Sequence, residues 1–141
     1  MTCNPYGTSL FTDFYNANDP AKAKQLVEER LAADFVDHAA AFGASPDKAG
    51  FAASVGLINS AFKQCYIVDR LIEQDQTVVA IWTAEVSHVG TFMGVEPTGR
   101  TFQLQGITAY ELRDGLIVRH WEKFDVVTIL TTLGIIPSLG G

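Results

Sequence analysis

Between Arg100 and Phe124 the chain reads RTFQLQGITAYELRDGLIVRHWEKF, two runs of period two on either side of Asp114-Gly115. An Asp-Gly pair between alternating segments is a strong tight-hairpin signal, because both positions of the favoured turn need positive φ. The segments Arg100–Arg113 and Gly115–Phe124 are therefore expected as neighbouring antiparallel strands. Upstream, Thr77–His88 and Cys65–Glu73 carry the same period, joined by the polar run Glu73-Gln74-Asp75-Gln76. Gly90–Gly99, with Phe92 and Pro97, is a longer connection expected to lie ordered over one end of the sheet.

Before residue 65 the period is helical. Leu10, Phe11, Phe14 and Tyr15 form a stripe in a short helix over Ser9–Asn16. Asp19-Pro20 supplies an N-cap followed by proline at the first helical position, and Ala23, Leu26, Val27 and Leu31 share one face. Ser45-Pro46 repeats that start ahead of Phe51, Val55, Ile58 and Phe62. A last short helix is expected over Val126–Leu133, ended by Gly134. Helices followed by a long-stranded meander predict one α+β domain over residues 1–141, its mostly antiparallel sheet curved and covered by the N-terminal helices. Such a sheet encloses a cavity, the default ligand site.

Composition excludes several classes. Hydrophobic residues make up 48% and charged residues 18%, with a mean hydropathy of +0.14, so the chain has ample apolar matter for a core. Sixteen acidic against ten basic residues give a net charge of -6, and the basic residues are scattered, which argues against a nucleic-acid partner. Cys3 and Cys65 make no metal pair or disulfide framework and are read as free thiols. The first lysine is Lys22, so no signal peptide is expected and the location is read as cytoplasmic. The longest apolar stretch, Val126–Ile136, is broken by threonines and falls short of the roughly 20 residues a membrane span needs.

Three histidines are candidates for chemistry: His38, His88 and His120. Their spacings match no zinc or iron pattern, so neither metal nor cofactor is expected. Ideal alternation puts Trp82, Ala84, Val86 and His88 on one face of their strand. In the last strand Ile117, Arg119, Trp121, Lys123 and Asp125 share a face, opposite Val118, His120, Glu122 and Phe124. In the third strand Gln103, Gln105, Ile107 and Ala109 oppose Phe102, Leu104, Gly106, Thr108 and Tyr110, and a bulge would swap these faces. Each candidate also has a structural reading. Trp82 can be core, His88 an exposed or hydrogen-bonded strand end, Asp37-His38 a solvated turn pair, and Asp125 the N-cap of the last helix. Against that, a carboxylate beside Trp121 has the aromatic surroundings that tune an acid or base.

The run His88-Val-Gly-Thr-Phe-Met-Gly-Val-Glu-Pro-Thr-Gly-Arg100, then Gly106, then Asp114-Gly-Leu-Ile-Val-Arg-His-Trp121 and Asp125, resembles the SnoaL-like polyketide cyclase or ester cyclase family. Ala33–His38 resembles the family's early segment, so the likeness covers most of the chain. It implies the cone-shaped α+β barrel of the nuclear transport factor two-like superfamily, a fold that hosts several chemistries. It also implies a cofactor-free intramolecular aldol closure of a polyketide-type methyl ester. In that reading Asp125 is the acid/base group, His38 and His88 bond substrate oxygens, Gln105 is a further donor, and Trp82, Phe92 and Trp121 wall the fused rings. Arg119 stands where the family often has Glu, and Gln105 where a basic residue is common, which bears on substrate choice.

Two other functions compete. An epoxide hydrolase or dehydratase on the same cone would use a His/Asp pair, for which Asp37 with His38 is the candidate, and epoxide opening would want a second buried carboxylate near Asp125, for which Glu85 and Glu111 are candidates. A noncatalytic binding or dimerisation module would have a pocket that is filled or purely apolar. A small hydrophobic or aromatic molecule is the expected ligand. An exposed sheet face also needs a cover, so a homodimer or homotetramer is expected.

Overall fold

The computed structural model describes residues 11–41 and 43–137. Four helices pack on one five-stranded mixed sheet among these residues. The order is α1 (Asp13–Asn16), α2 (Pro20–Arg30), β1 (Leu31–Asp37), α3 (Lys48–Ala61), β2 (Phe62–Gln74), β3 (Thr77–His88), β4 (Thr101–Arg113), β5 (Leu116–Phe124) and α4 (Val126–Thr132). The α+β class is as the sequence predicts. The start of the expected first helix, Ser9 and Leu10, lies outside the described residues.

Local chemistry explains the helix bounds. The Asp19 carboxylate accepts the Ala21 and Lys22 N–H groups at 2.9 and 3.2 Å, with Pro20 at the first position needing no partner. Ala23 and Val27 are buried, and Leu31 ends the helix by turning extended. The cap of α3 is Asp47, accepting the Gly50 N–H at 2.8 Å, two residues beyond the Ser45 expected from sequence. Gly50 is required there, because a Cβ would lie 1.9 Å from the Ser45 carbonyl oxygen.

The strand order is β1-β5-β4-β3-β2, so the antiparallel meander runs β2 to β5 and β1 joins its far edge in parallel with β5. β1 is an element the sequence reading did not contain. It follows α2 with no intervening turn residue, and its buried positions are irregular because the β1–β5 register shifts between Leu31 and Val36. Asp114 and Gly115 both have positive φ (53° and 81°) in the β4–β5 hairpin. The 89–100 connection is ordered by hydrogen bonds from the Val89 and Gly90 N–H groups to the Ala61 carbonyl and by paired bonds between Phe92 and Val95. It plants Phe92, fully buried, against Phe62 at 5.0 Å.

Two apolar clusters result. One joins α1, α2 and α3 to β1, β4 and β5 through Phe14, Val27, Phe35 and Phe51. The other joins Phe62, Trp82, Phe92 and Phe102 to Ile129 and Leu133. Trp82 crosses the inner face of β4 at Gly106, its register partner, where a Cβ would come 2.3 Å from Cζ2 of the indole. Cys65 is disulfide-bonded, which corrects the reading of a free thiol; separation along a sequence says nothing of distance in the fold. Cys3 lies outside the described residues. No helix among them is long and apolar enough to cross a membrane.

Candidate functional site

Between the two clusters lies a small cavity of about 60 Å³. Its walls are mostly apolar: Phe51, Val55 and Ile58 from α3, Phe62 and Tyr66 from β2, Trp82 and Val86 from β3, Phe102 and Leu104 from β4. Its polar lining includes Asp37, His120, Glu122, Gln64, Ser54 and Tyr15.

The titratable groups arise from strand register. Parallel pairing sets Asp37, the last residue of β1, beside His120 of β5, and their side chains meet with His120 Nδ1 at 2.9 Å from Asp37 Oδ1. Both residues are buried, at 7% and 2% exposure. The same Asp37 oxygen accepts the Ala39 N–H at 2.9 Å, and the backbone N–H of Asp37 bonds the Pro46 carbonyl, so the carboxylate is fixed from two sides. With Asp37 accepting the Nδ1 proton, Nε2 of His120 is left buried with no hydrogen-bond partner, 3.8 Å from Glu122 Oε1. Phe11 stacks on the imidazole at 4.4 Å and Phe51 meets it edge-on at 5.7 Å.

Burial by itself would lower the His120 pKa, but the Asp37 hydrogen bond and the nearby charges of Glu122 and Asp37 outweigh it and raise the group to about 9. At neutral pH His120 is therefore an imidazolium between two carboxylates. Glu122 is tethered within the cavity lining: the Trp82 indole N–H donates to Thr108 Oγ1 at 2.8 Å, and that hydroxyl donates to Glu122 Oε1 at 2.7 Å. Tyr15 and Tyr66 stack at 4.9 Å, and burial, then the charge of Glu122, pushes both phenols up, so both hydroxyls keep their protons. Among the described residues no group of three or more His, Cys, Asp and Glu side chains converges as metal ligands would.

The residues expected from the sequence are not brought together. Asp125 is exposed at the N-cap of α4, where its carboxylate accepts the N–H and hydroxyl of Thr128. The Thr128 hydroxyl and then its backbone N–H hold the Asp125 pKa below the usual carboxylate value. Asp125 thus takes the N-cap role that was the alternative reading, and does not line the cavity. His38 is exposed and stacks flat on the exposed Trp121 at 4.8 Å, outside the cavity. His88 is fully buried, its Nδ1 accepting the Thr98 N–H at 3.1 Å, and it ties down the 89–100 connection instead of facing a ligand. Phe92 packs in the core behind the wall. Gln105 lies on the outer sheet face, in a depression with Asp69, Ile81, Ile107 and Lys123. Of the expected site residues only Trp82 lines the cavity. Glu85 and Glu111 do not line it either; the second carboxylate beside the histidine is Glu122.

The reversal in β5 has one cause. Ile117 pairs with Leu112 but Arg119 pairs with Glu111, so Val118 is an extra residue and alternation restarts beyond it. Ile117 and His120 are consequently both buried, and His120, Glu122 and Phe124 face inward while Trp121 and Lys123 face out. A signal was present in the composition of the faces: Arg119, Lys123 and Asp125 make one of them a solvated face.

Residues 8–133 match the family model of SnoaL-like polyketide cyclases. No protein of curated function matches the chain. Among solved structures, IdmH of Streptomyces antibioticus, a polyketide cyclase candidate, is 28% identical, with 89% of this chain and 96% of that one covered and a TM-score of 0.71. TsrD of Streptomyces laurentii is 23% identical, with 90% and 91% covered and a TM-score of 0.71. A SnoaL-like protein of Jannaschia sp. CCS1 is 17% identical over 91% of both chains, with a TM-score of 0.75.

Proposed function

We propose, from the premise that this chain belongs to the SnoaL-like polyketide cyclase family, that it closes a ring in a polyketide-type ester by cofactor-free intramolecular aldol addition, with His120 and Glu122 as the acid/base pair. The observation that carries this is a buried imidazolium in the cavity lining whose Nε2 has no hydrogen-bond partner, beside a second carboxylate. Glu122 removes a proton from the carbon between two carbonyls; the enolate attacks a ketone of the same molecule, and Nε2–H of His120 protonates the alkoxide that forms. A water admitted as product leaves carries the proton from Glu122 to Nε2, 3.8 Å away, so the enzyme is restored and the product is an isomer of the substrate. Asp37 holds the ring by Nδ1 and leaves Nε2 unpaired. The aromatic walls position the substrate, and exclusion of water strengthens the His120 bond to the developing oxyanion.

Dehydration is the second reading, because a buried His/Asp pair with a further carboxylate is what that reading required. Both chemistries are separated by product mass in one experiment. A panel of conjugated polyketide methyl esters is incubated with wild type, His120→Gln and Asp125→Asn, followed by absorbance and mass spectrometry. Ring closure without change of mass, reduced roughly 10²- to 10⁴-fold in His120→Gln and retained in Asp125→Asn, is expected. Loss of water gives the dehydratase instead. Activity surviving His120→Gln but not Asp125→Asn overturns the assignment of the pair.

The same reading includes a second copy of the chain covering the outer sheet face. Supporting it are Ile107 and Trp121, exposed at 49% and 36%, flanked there by Lys123 and by Asp69 of β2. A one-chain mass in light scattering overturns it.

A further inference from the structure

We propose that Thr108, its polarity set by Trp82, is a positioning residue that holds Glu122 away from His120 and so keeps Nε2–H free for the substrate. This rests on the pair assigned above. The indole N–H can only donate, so the Thr108 oxygen receives it and the Thr108 hydroxyl proton has to point to Glu122 Oε1. That same oxygen is the one nearest His120 Nε2, at 3.8 Å. A carboxylate and an imidazolium buried together ordinarily close to about 2.8 Å and form a charge-assisted hydrogen bond. Here the gap stays open, and Oε1 is held by the Thr108 hydroxyl. Thr108 and Trp82 are 1% and 2% exposed, so water does not compete for the chain of bonds. Gly106, directly across β4 from Trp82, provides the space in which the indole reaches Thr108 two residues along that strand.

In Thr108→Val, a replacement of the same shape, Oε1 loses its donor and Glu122 closes onto Nε2. The proton meant for the substrate is then spent inside the enzyme. The test reads His120 directly, by NMR titration of its imidazole in the substrate-free protein. In Thr108→Val the titration midpoint is expected to rise by about one pH unit, as a new charge-assisted hydrogen bond requires. Thr108→Ser, which keeps the hydroxyl, should restore the wild-type midpoint. Trp82→Phe, which removes only the donor that sets the polarity, should move it upward by less, and it carries the test if Thr108→Val fails to fold. With a substrate in hand, kcat of Thr108→Val should fall roughly 10²-fold with KM little changed. An unchanged or lowered His120 midpoint in Thr108→Val and Trp82→Phe overturns the proposal. A raised midpoint in a protein with no cyclase activity leaves the tether standing and overturns the function, so the two fail separately.

Discussion

Two carboxylate sites, one around His120 of β5 and one just past the end of that strand, lie within five residues of each other and do opposite things. At the middle of the strand Asp37 and Glu122 flank a buried imidazolium, and at its end Asp125 sits in solvent and caps a helix. The donors around each decide its role. Asp125 spends its lone pairs on Thr128, and its pKa is lowered accordingly, which makes it a stable anion and a poor proton acceptor. Asp37 spends its lone pairs on an imidazole N–H and so raises the basicity of a group whose other nitrogen has no hydrogen-bond partner. A residue type at a family position is therefore a weaker guide to chemistry than the burial and hydrogen bonds that surround it.

The largest effect that could break the comparison comes from Asp37→Asn. Removing one partner of a buried ion pair leaves the other charge uncompensated, at a cost of about 3–5 kcal/mol. Urea denaturation at pH 7 should show a loss of that order, and imidazole NMR should show the His120 midpoint falling below about 9. Wild-type stability in Asp37→Asn would mean that His120 is neutral and that the two regions do not differ in the way described.

Next is the pH dependence of stability. The folded pKa of His120 is raised to about 9 from 6.5, so the stabilisation is complete below about pH 6.5 and is lost as pH rises through about 9. Roughly 3 kcal/mol is involved for this one group. Denaturation midpoints measured from pH 6 to pH 10 should fall in wild type and fall less in His120→Gln. Parallel curves for the two proteins would refute the assignment.

A smaller effect is expected at Gly106→Ala. The added methyl meets the Trp82 ring within 2.3 Å, and overpacking of that kind costs about 1–3 kcal/mol. The same variant sharpens the comparison, since a displaced indole loosens Thr108 while Asp125 is untouched. A thermal midpoint equal to wild type would show that the ring yields without cost.

How far the sequence carried depended on regularity. β3 alternates without interruption, and Trp82, Ala84, Val86 and His88 lie on its inner face as the period predicts. The Asp114-Gly115 hairpin and the short last helix were likewise legible, because each is set by a few adjacent residues. β5 was not, because one bulged residue, Val118, inverts the face on which everything beyond it falls. β1 was hidden by following a helix without a break. The site itself depends on the parallel register of β1 and β5, which joins Asp37 to a histidine 83 residues away. No local pattern encodes that pairing, whereas the N-cap role of Asp125 is written in its position directly before α4.

The smallest predicted effect isolates that cap. Asp125→Ala removes the acceptor for the Thr128 N–H and should lower the thermal midpoint, while Asp125→Asn, itself a good cap, should lower it less. A cap contributes by its hydrogen bond, so the two substitutions should rank in that order in stability and leave turnover alike. A catalytic carboxylate would give the opposite signature: Asn and Ala equally inactive, with stability unchanged or improved once a strained functional group is gone. Because Asn preserves shape and bonding but cannot take a proton, the contrast between Asp125→Asn in stability and in turnover decides which of the two sites does the chemistry.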